Sequence, residues 1–312
     1  MRVLVTGGAG FIGSAIARRL IGDGHQVIVA DDLSTGYREN VPSKAEFLQL
    51  DLSRPASLQT LPSAPVDAVC HLAAQSSGAV SEEDPCLDLQ VNVMATLLLV
   101  RWCLARGIKR FLYASSMAVY GDGAAPMEED APCVPKSHYG VSKLTSEHLL
   151  RLAAQQGISC TSFRMFSVYG PGQNLENLKQ GMVSIYLAYM LRGVSVPVTG
   201  SLERIRDFIY IDDVVEVWMR ALLSPHTPSA VYNLGSGAPV TVRELLTELR
   251  RALDLPADYP VVEQAGSEAD QQVAIAETTR VCGDFAWRPQ VDLKEGLKRM
   301  ACWARAAAQA TS

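Results

Sequence analysis

Two rhythms of apolar residues alternate along the first half of the chain. Short, mostly apolar runs at Arg2–Val5, Gln26–Ala30, Glu46–Gln49, Ala68–His71, Arg110–Ala114 and Ser159–Arg164 have the length and composition of buried strands. Between them lie segments with apolar residues every three or four positions. Ile12, Ile16 and Leu20 share one helical face in Gly10–Gly22, as do Val91, Ala95, Leu98 and Trp102 in Val91–Arg106. A further helix is predicted over Lys136–Gln155. Strands alternating with helices imply βαβ crossovers and a parallel sheet covered on both faces.

The alternation loosens after Tyr169, where Gly170-Pro171-Gly172 marks a break. Helices are predicted at Met182–Arg192, Asp212–Leu223 and Val242–Leu253, among short strands and scattered prolines. The expected organisation is a first domain over 1–168 and a smaller mixed α/β domain over 169–312. Some segments of the latter are expected to return to the first domain. The second domain should lie over the carboxyl ends of the first domain's strands, and the small, polar tail from Ala304 to Ser312 should fray.

Composition narrows the classes of partner. The chain has 312 residues and a net charge of -5, so it offers no basic footprint for nucleic acid. No apolar run is expected to reach the length of a membrane span, and the first strand starts where a signal peptide would lie. Seven cysteines are odd in number and scattered, with no C-x-x-C pair, which suits reduced thiols in the cytoplasm. The five histidines form no metal-spaced cluster, so no metal site is expected.

The chemistry begins at the first strand's end. Gly7, Gly10 and Gly13 follow it at the spacing G-x-x-G-x-x-G, with Phe11 and Ile12 opening a helix. Such a turn lets backbone approach a dinucleotide pyrophosphate and presents helix N-terminal N–H groups to it. The fold expected is therefore α/β, a Rossmann-type doubly wound parallel sheet. Asp31, eighteen residues beyond Gly13, ends the second strand. A carboxylate there can accept hydrogen bonds from both ribose hydroxyls and would repel a 2′-phosphate, favouring NAD over NADP. Asp51 and Leu52 follow the third strand, where they suit an adenine edge. Leu72, Ala73 and Ala74 follow the fourth, with small side chains for a cofactor to lie against.

Ser115 and Ser116 follow the fifth strand, and Tyr139 and Lys143 lie one turn apart on the next helix. A free phenol, with a pKa of about 10, is a poor base at neutral pH. A lysine ammonium and a positive nicotinamide ring would favour phenolate. Tyr139 could then take a proton from a sugar hydroxyl while hydride leaves the same carbon. Ser116 would hold that hydroxyl, and Lys143 would anchor the nicotinamide ribose.

Taken together, Thr6–Gly13, Asp31–Gly36, Asp51-Leu52, His71–Ala74, Asn92, Ser115–Gly121, Tyr139–Lys143, Tyr169–Gly172 and Arg206–Asp213 resemble the extended short-chain dehydrogenase/reductases. The likeness is to the NAD-dependent nucleotide-sugar epimerases and dehydratases, most of all the UDP-hexose 4-epimerases, and it covers nearly the whole chain. It implies one NAD per subunit, with Asp32, Ser34, Thr35, Gly36 and Asn92 added to the cofactor set. It also implies a homodimer through Val91–Arg106 and Lys136–Gln155. In the family's dehydratases an Asp-Glu pair follows the catalytic hydroxyl residue, and UDP-glucuronate decarboxylases keep a Glu there. This chain has Met117-Ala118, which cannot move protons and leaves 4-epimerisation favoured.

The resemblance makes Arg206 a diphosphate ligand, a task suited to a planar fork of donors. Ser167 stands where the family has Asn, and Ser267 where a second diphosphate arginine is expected beside Asp270. Ala274 replaces a bulky aromatic and is expected to leave room for an N-acetyl group. The substrate set is thus Ser115, Ser116, Met117, Ser167, Arg206, Asp270 and Ala274. The alternatives are a nucleotide-sugar reductase, a dehydratase or a non-catalytic NAD(H) sensor on the same fold.

Overall fold

The computed structural model describes residues 1–225, 227–266 and 271–310. In chain order the strands are β1 (Arg2–Thr6), β2 (Gln26–Asp31), β3 (Glu46–Gln49), β4 (Ala68–His71), β5 (Arg110–Ser116), β6 (Ser159–Met165), β7 (Ser167–Tyr169), β8 (Val196–Thr199), β9 (Ile205–Tyr210), β10 (Val231–Leu234), β11 (Pro239–Thr241), β12 (Val261–Gln264) and β13 (Val273–Ala274). The helices are α1 (Phe11–Gly22), α2 (Gly78–Glu83), α3 (Pro85–Leu89), α4 (Ala95–Arg106), α5 (His138–Gln155), α6 (Met182–Leu191), α7 (Ile211–Leu223), α8 (Val242–Ala252), α9 (Thr279–Asp284) and α10 (Leu293–Ala310).

Two compact units emerge, and their segments interleave. The first comprises Met1–Val119, Ser137–Arg164 and Val215–Tyr232; the second comprises Tyr120–Lys136, Met165–Val214 and Asn233–Ser312. A seven-stranded sheet in the order β10-β6-β5-β4-β1-β2-β3 forms the frame of the first. The pairings of β1 with β2 and β4, of β2 with β3 and of β4 with β5 are all parallel. This is the Rossmann-type arrangement, in which the order reverses beside β1.

The core of this unit follows the period of two along each strand. Leu4, Ile28, Val69, Phe111 and Tyr113 pack with Leu99 and Trp102 of α4 and Leu150 of α5. Val3, Val5, Val27 and Val29, at the alternate positions, are buried as well, and Ile16 and Leu20 of α1 with them. On α7, Trp218 lies 5.3 Å from Phe163 of β6, ring centre to ring centre. Each buried Leu, Ile or Val contributes about 1.5–3 kcal/mol by removal from water.

Two elements differ from the sequence expectation. The helix predicted from Val91 starts earlier, because Asp84 caps Leu87 N–H at 2.9 Å and Pro85 occupies the first turn. It then passes through a π-turn at Gln90–Met94 before α4. The run Pro85–Arg106 is 22 residues long and contains an 18-residue window with a mean hydropathy of 1.4, so a segment of membrane-spanning length does exist, contrary to the expectation. Half of that window is buried in the fold, and Ala95, Leu98, Leu99, Trp102 and Cys103 are among the buried residues of the run. The tail expected to fray from Ala304 instead continues α10 to Ala310, with Ala304 itself buried.

In the second unit β9 is the central strand. β11 pairs with it antiparallel, while β13 and β7 pair with its first and second halves in parallel. Asp207 on β9 is fully buried and accepts hydrogen bonds from Ser236 N (2.7 Å), Ser236 Oγ (2.6 Å), Gly237 N (2.9 Å) and Ala276 N (3.1 Å). These bonds pin the loop after β10 to the sheet. β8 and β12 form a separate parallel pair, and a capping box between Thr241 and Glu244 starts α8.

Candidate active site

The β1–α1 turn is shaped by contacts that a side chain would destroy. Gly7 adopts a left-handed φ of 67°, and a Cβ there would lie 2.6 Å from Ala73 N. The end of β4, with Leu72, Ala73 and Ala74, thus runs against the loop. A Cβ on Gly13 would strike the Gly7 carbonyl oxygen and sit 2.9 Å from Gly8 Cα. Gly10 caps α1 without any side-chain acceptor for the first-turn N–H groups of Phe11, Ile12 and Gly13. A cradle of bare backbone at an uncapped helix N-terminus fits a pyrophosphate.

Asp31 closes the side of this cradle. It is buried at the end of β2, where it accepts Ala9 N–H and Leu33 N–H, both at 2.9 Å. Burial pushes its carboxyl above the usual range, and these two hydrogen bonds oppose that rise. Leu33 holds a φ of 61°, a left-handed conformation that the Asp31 bond helps to fix. Asp32 accepts Ser34 N–H at 2.9 Å, while Asp32, Ser34 and Thr35 stay exposed. A Cβ on Gly36 would lie 2.7 Å from the Ala9 carbonyl carbon, so this loop folds back onto the glycine turn. The guanidinium of Arg38 stacks 4.5 Å above Phe47. Asp51 holds Ser53 N–H at 2.9 Å and Arg54 at 2.8 Å, and Leu52 beside it is buried.

The carboxyl end of β5 and the first turns of α5 carry the residues expected from the sequence to react. Ser137 caps α5 by accepting Gly140 N–H at 3.1 Å, which fixes where the helix begins. Ser116 lies close enough to Tyr139 to hold its phenol down against the effect of burial. Ser116 Oγ also accepts Ala118 N–H at 3.2 Å, in the short turn Met117–Val119. Lys143 is buried, donates to the Ala114 carbonyl at 2.8 Å and stands 5.7 Å from the Tyr139 ring centre. Burial pulls its ammonium down to about 8, against the charges of Asp88 and Glu147. Burial pushes the Tyr139 phenol up to about 12, with Ser116 opposing and Asp88 reinforcing. The protein alone therefore keeps Tyr139 protonated; a further positive charge is needed to make it a base.

Behind this pair lies a buried scaffold. Glu147, one turn beyond Lys143, is paired to Arg164 of β6 at 2.8 Å and accepts the Ser115 hydroxyl. Ser115 is thereby turned toward this ion pair rather than left open. Asn92, in the π-turn, is also buried; its amide donates to Gln75 O (3.0 Å), Asp88 Oδ1 (3.1 Å) and Ser142 Oγ (3.0 Å). His71, at the end of β4, bonds Thr6 Oγ1 at 2.7 Å and Thr96 Oγ1 at 3.0 Å. Burial, then the Lys143 charge, pull His71 down to about 3, so it is neutral at working pH. Thr96 donates its own proton to Asn92 O at 2.6 Å, so His71 Nε2–H donates to Thr96 and Nδ1 accepts from Thr6.

Of the remaining candidates, Ser167, Arg206 and Ala274 lie in the second unit and share its β9-centred sheet. Ser167 pairs with Phe208, and Arg206 with Ala274. Arg206 and Ala274 are buried. Asp270 and Ser267 lie outside the described residues.

Sequence reasoning missed Glu147, Arg164, Asp88, Gln75 and the Thr6–His71–Thr96 relay. Glu147 carried a signal, since Tyr139, Lys143 and Glu147 repeat every fourth residue on one helix. The others come from separate elements and share no spacing.

The depressed Lys143 pKa has a measurable consequence. Between pH 8 and 10.5 the unfolded chain holds a proton on this lysine that the folded chain has lost. Raising pH through that window should therefore add stability, by up to about 3 kcal/mol. The urea unfolding free energy of the native protein minus that of Lys143→Met should rise across this window. A flat difference would mean that Lys143 titrates normally.

The chain is similar to known proteins over nearly its whole length. The UDP-glucose 4-epimerase of Mycolicibacterium smegmatis is 34% identical over 307 residues, 96% of this chain and 97% of that protein. The structure of UDP-glucose 4-epimerase from Thermotoga maritima, with UDP-glucose, superposes with a TM-score of 0.94 at 34% identity, covering 99% of this chain and 100% of that one. UDP-glucuronic acid decarboxylase 1 of Arabidopsis thaliana is 29% identical over 96% of this chain and 69% of the plant protein. Residues 3–235 match the NAD dependent epimerase/dehydratase family. With its glycine cradle, its Asp31 and its Ser116–Tyr139–Lys143 cluster, this chain belongs to the NAD-dependent epimerase/dehydratase family of nucleotide-sugar enzymes.

Proposed function

We propose that this protein is an NAD-dependent nucleotide-sugar 4-epimerase acting on UDP-linked hexoses or their N-acetyl or uronic acid forms. The observation that carries this reading is Lys143, buried 5.7 Å from the Tyr139 ring and bonded to Ala114 of β5, the strand that ends in Ser116 and is followed by two residues, Met117 and Ala118, without a titratable group. The cradle of Gly7, Gly10 and Gly13 would hold the pyrophosphate of NAD and Asp31 its adenosine ribose. Bound there, the cofactor would supply the acceptor and donor of hydride for sugar C4. Arg38, engaged with Phe47, leaves Asp31 to set the preference against a 2′-phosphate.

Tyr139 takes the proton of the C4 hydroxyl, and Ser116 steadies that oxygen. The 4-keto sugar turns over, and Tyr139 returns the proton when the opposite face is reduced. Lys143 holds the nicotinamide ribose and lends positive charge to the phenolate. Dehydration or decarboxylation would call for a proton-moving side chain after Ser116, and Met117 and Ala118 provide none.

Arg206 is assigned to the diphosphate, with Ser167 beside the same strand. Ala274 is assigned to the space for a C2 substituent. Turnover of UDP-N-acetylglucosamine within about tenfold of UDP-glucose is expected, a difference of about 1.4 kcal/mol; no turnover of the acetylated sugar would remove that role from Ala274. Leu87, Leu89, Met94, Val141 and Leu152 remain exposed on the helices assigned to a homodimer. The seven free cysteines suit a cytoplasmic location.

The function is tested by incubating the protein with UDP-, GDP- and dTDP-sugars without added cofactor and following products by NMR. A C4 epimer of a UDP-sugar is expected. A 4-keto-6-deoxy sugar or a pentose, or stoichiometric NADH consumption in a parallel reaction with NADH added, would assign the protein to another reaction of the family.

A further inference from the structure

Asp88 is a fully buried carboxylate that the reaction scheme does not use. Its Oδ1 accepts the Gln75 amide at 3.0 Å and the Asn92 amide at 3.1 Å. Its Oδ2 is also buried and has no hydrogen-bond partner. A buried charge left half-satisfied is costly unless an opposite charge compensates it. Asp88 sits on α3, which packs against α5. The Asn92 amide bridges Asp88 to Ser142, the residue preceding Lys143.

We propose that the Asp88 carboxylate is a positioning residue that holds Lys143 as a charged ammonium beside Tyr139. The other groups facing Lys143 cannot do this alone. Glu147, on the same helix, is committed to Arg164 and Ser115. Tyr113 of β5, 5.0 Å from Nζ at its ring centre, and Tyr139 are kept neutral by burial. His71 of β4 is neutral as well. Asp88 is thus the anion beside α5 that keeps one buried oxygen without a partner, and its charge opposes the effect of burial on Lys143. The same charge raises Tyr139, so Asp88 favours ammonium on one partner and phenol on the other until a second positive charge arrives. The relay from Gln75 through Asn92 fixes the carboxylate in place for this task.

The functional meaning of this proposal rests on Tyr139 and Lys143 being the reacting pair, but its test does not. The seven lysines are labelled at 13Cε, and the Lys143 resonance is assigned with Lys143→Arg. Its titration midpoint is then followed in the native protein, in Asp88→Asn, which keeps an acceptor for both amides, and in Asp88→Ser, which removes charge without adding an amide. Loss of the charge should lower the midpoint by about one unit in either variant. An unchanged midpoint in a variant with native circular dichroism overturns the proposal. The alkaline limb of kcat on a UDP-hexose should shift down with the midpoint. A midpoint that moves in a protein epimerising no sugar would leave Asp88 in its role and reject the epimerase reading instead.

Discussion

Tyr139→Phe should lose about 10³-fold in kcat, the range expected on deleting a general acid–base group, while still folding and binding NAD. The change removes one oxygen from a partly buried ring whose position is set by α5. KM should therefore change far less than kcat, because the proton is moved only as the transition state forms. Burial holds the phenol at about 12 before any cofactor charge arrives. The native activity should accordingly rise with pH only in the NAD-bound protein, where positive charge brings the phenol down toward working pH. Unchanged kcat in Tyr139→Phe would place the proton transfer elsewhere.

The second large effect lies at Gly13. A Cβ added there meets the Gly7 carbonyl oxygen and lies 2.8 Å from the Gly7 carbonyl carbon, and both are backbone atoms that cannot rotate away. Gly13→Val must push α1 off the loop, which costs at least the 1–3 kcal/mol typical of overpacking, roughly. It also displaces the N–H groups proposed to hold a pyrophosphate. The variant is expected to purify without dinucleotide, as read by acid release and chromatography. Gly22, on the same helix, provides the control, because a Cβ there meets nothing within 4 Å. Gly22→Ala should retain the cofactor and gain a few tenths of a kcal/mol, at most ~1. Full NAD retention in Gly13→Val would mean that the cradle does not hold the pyrophosphate.

The first unit was legible because its determinants are local. Val3–Val5 followed by Gly7, Gly10 and Gly13 can hardly form anything but a strand, a tight turn and a helix. Asp31 and Ser116 each end a run of buried strand residues, and parallel strands bring such ends to one edge of the sheet. The start of the long helix was missed because Asp84-Pro85 was not taken as a cap, although its chemistry is plain. Asp88 and Arg164 were illegible for a different reason. A charged residue in a sequence looks solvated until tertiary packing closes over it, and here α5 and β6 do so. In the second unit the four-stranded sheet is assembled from β9 and three short strands far apart in sequence, so Ser167, Arg206 and Ala274 could be placed only by resemblance.

The account stands or falls on hydride leaving and returning to the same sugar carbon within one bound cofactor. UDP-galactose carrying deuterium at C4, incubated with the protein in ordinary water and without added NAD, tests this directly. The account predicts UDP-glucose that retains the deuterium at C4, with no net NADH. Deuterium lost from C4, or solvent hydrogen exchanged at C5, would contradict it.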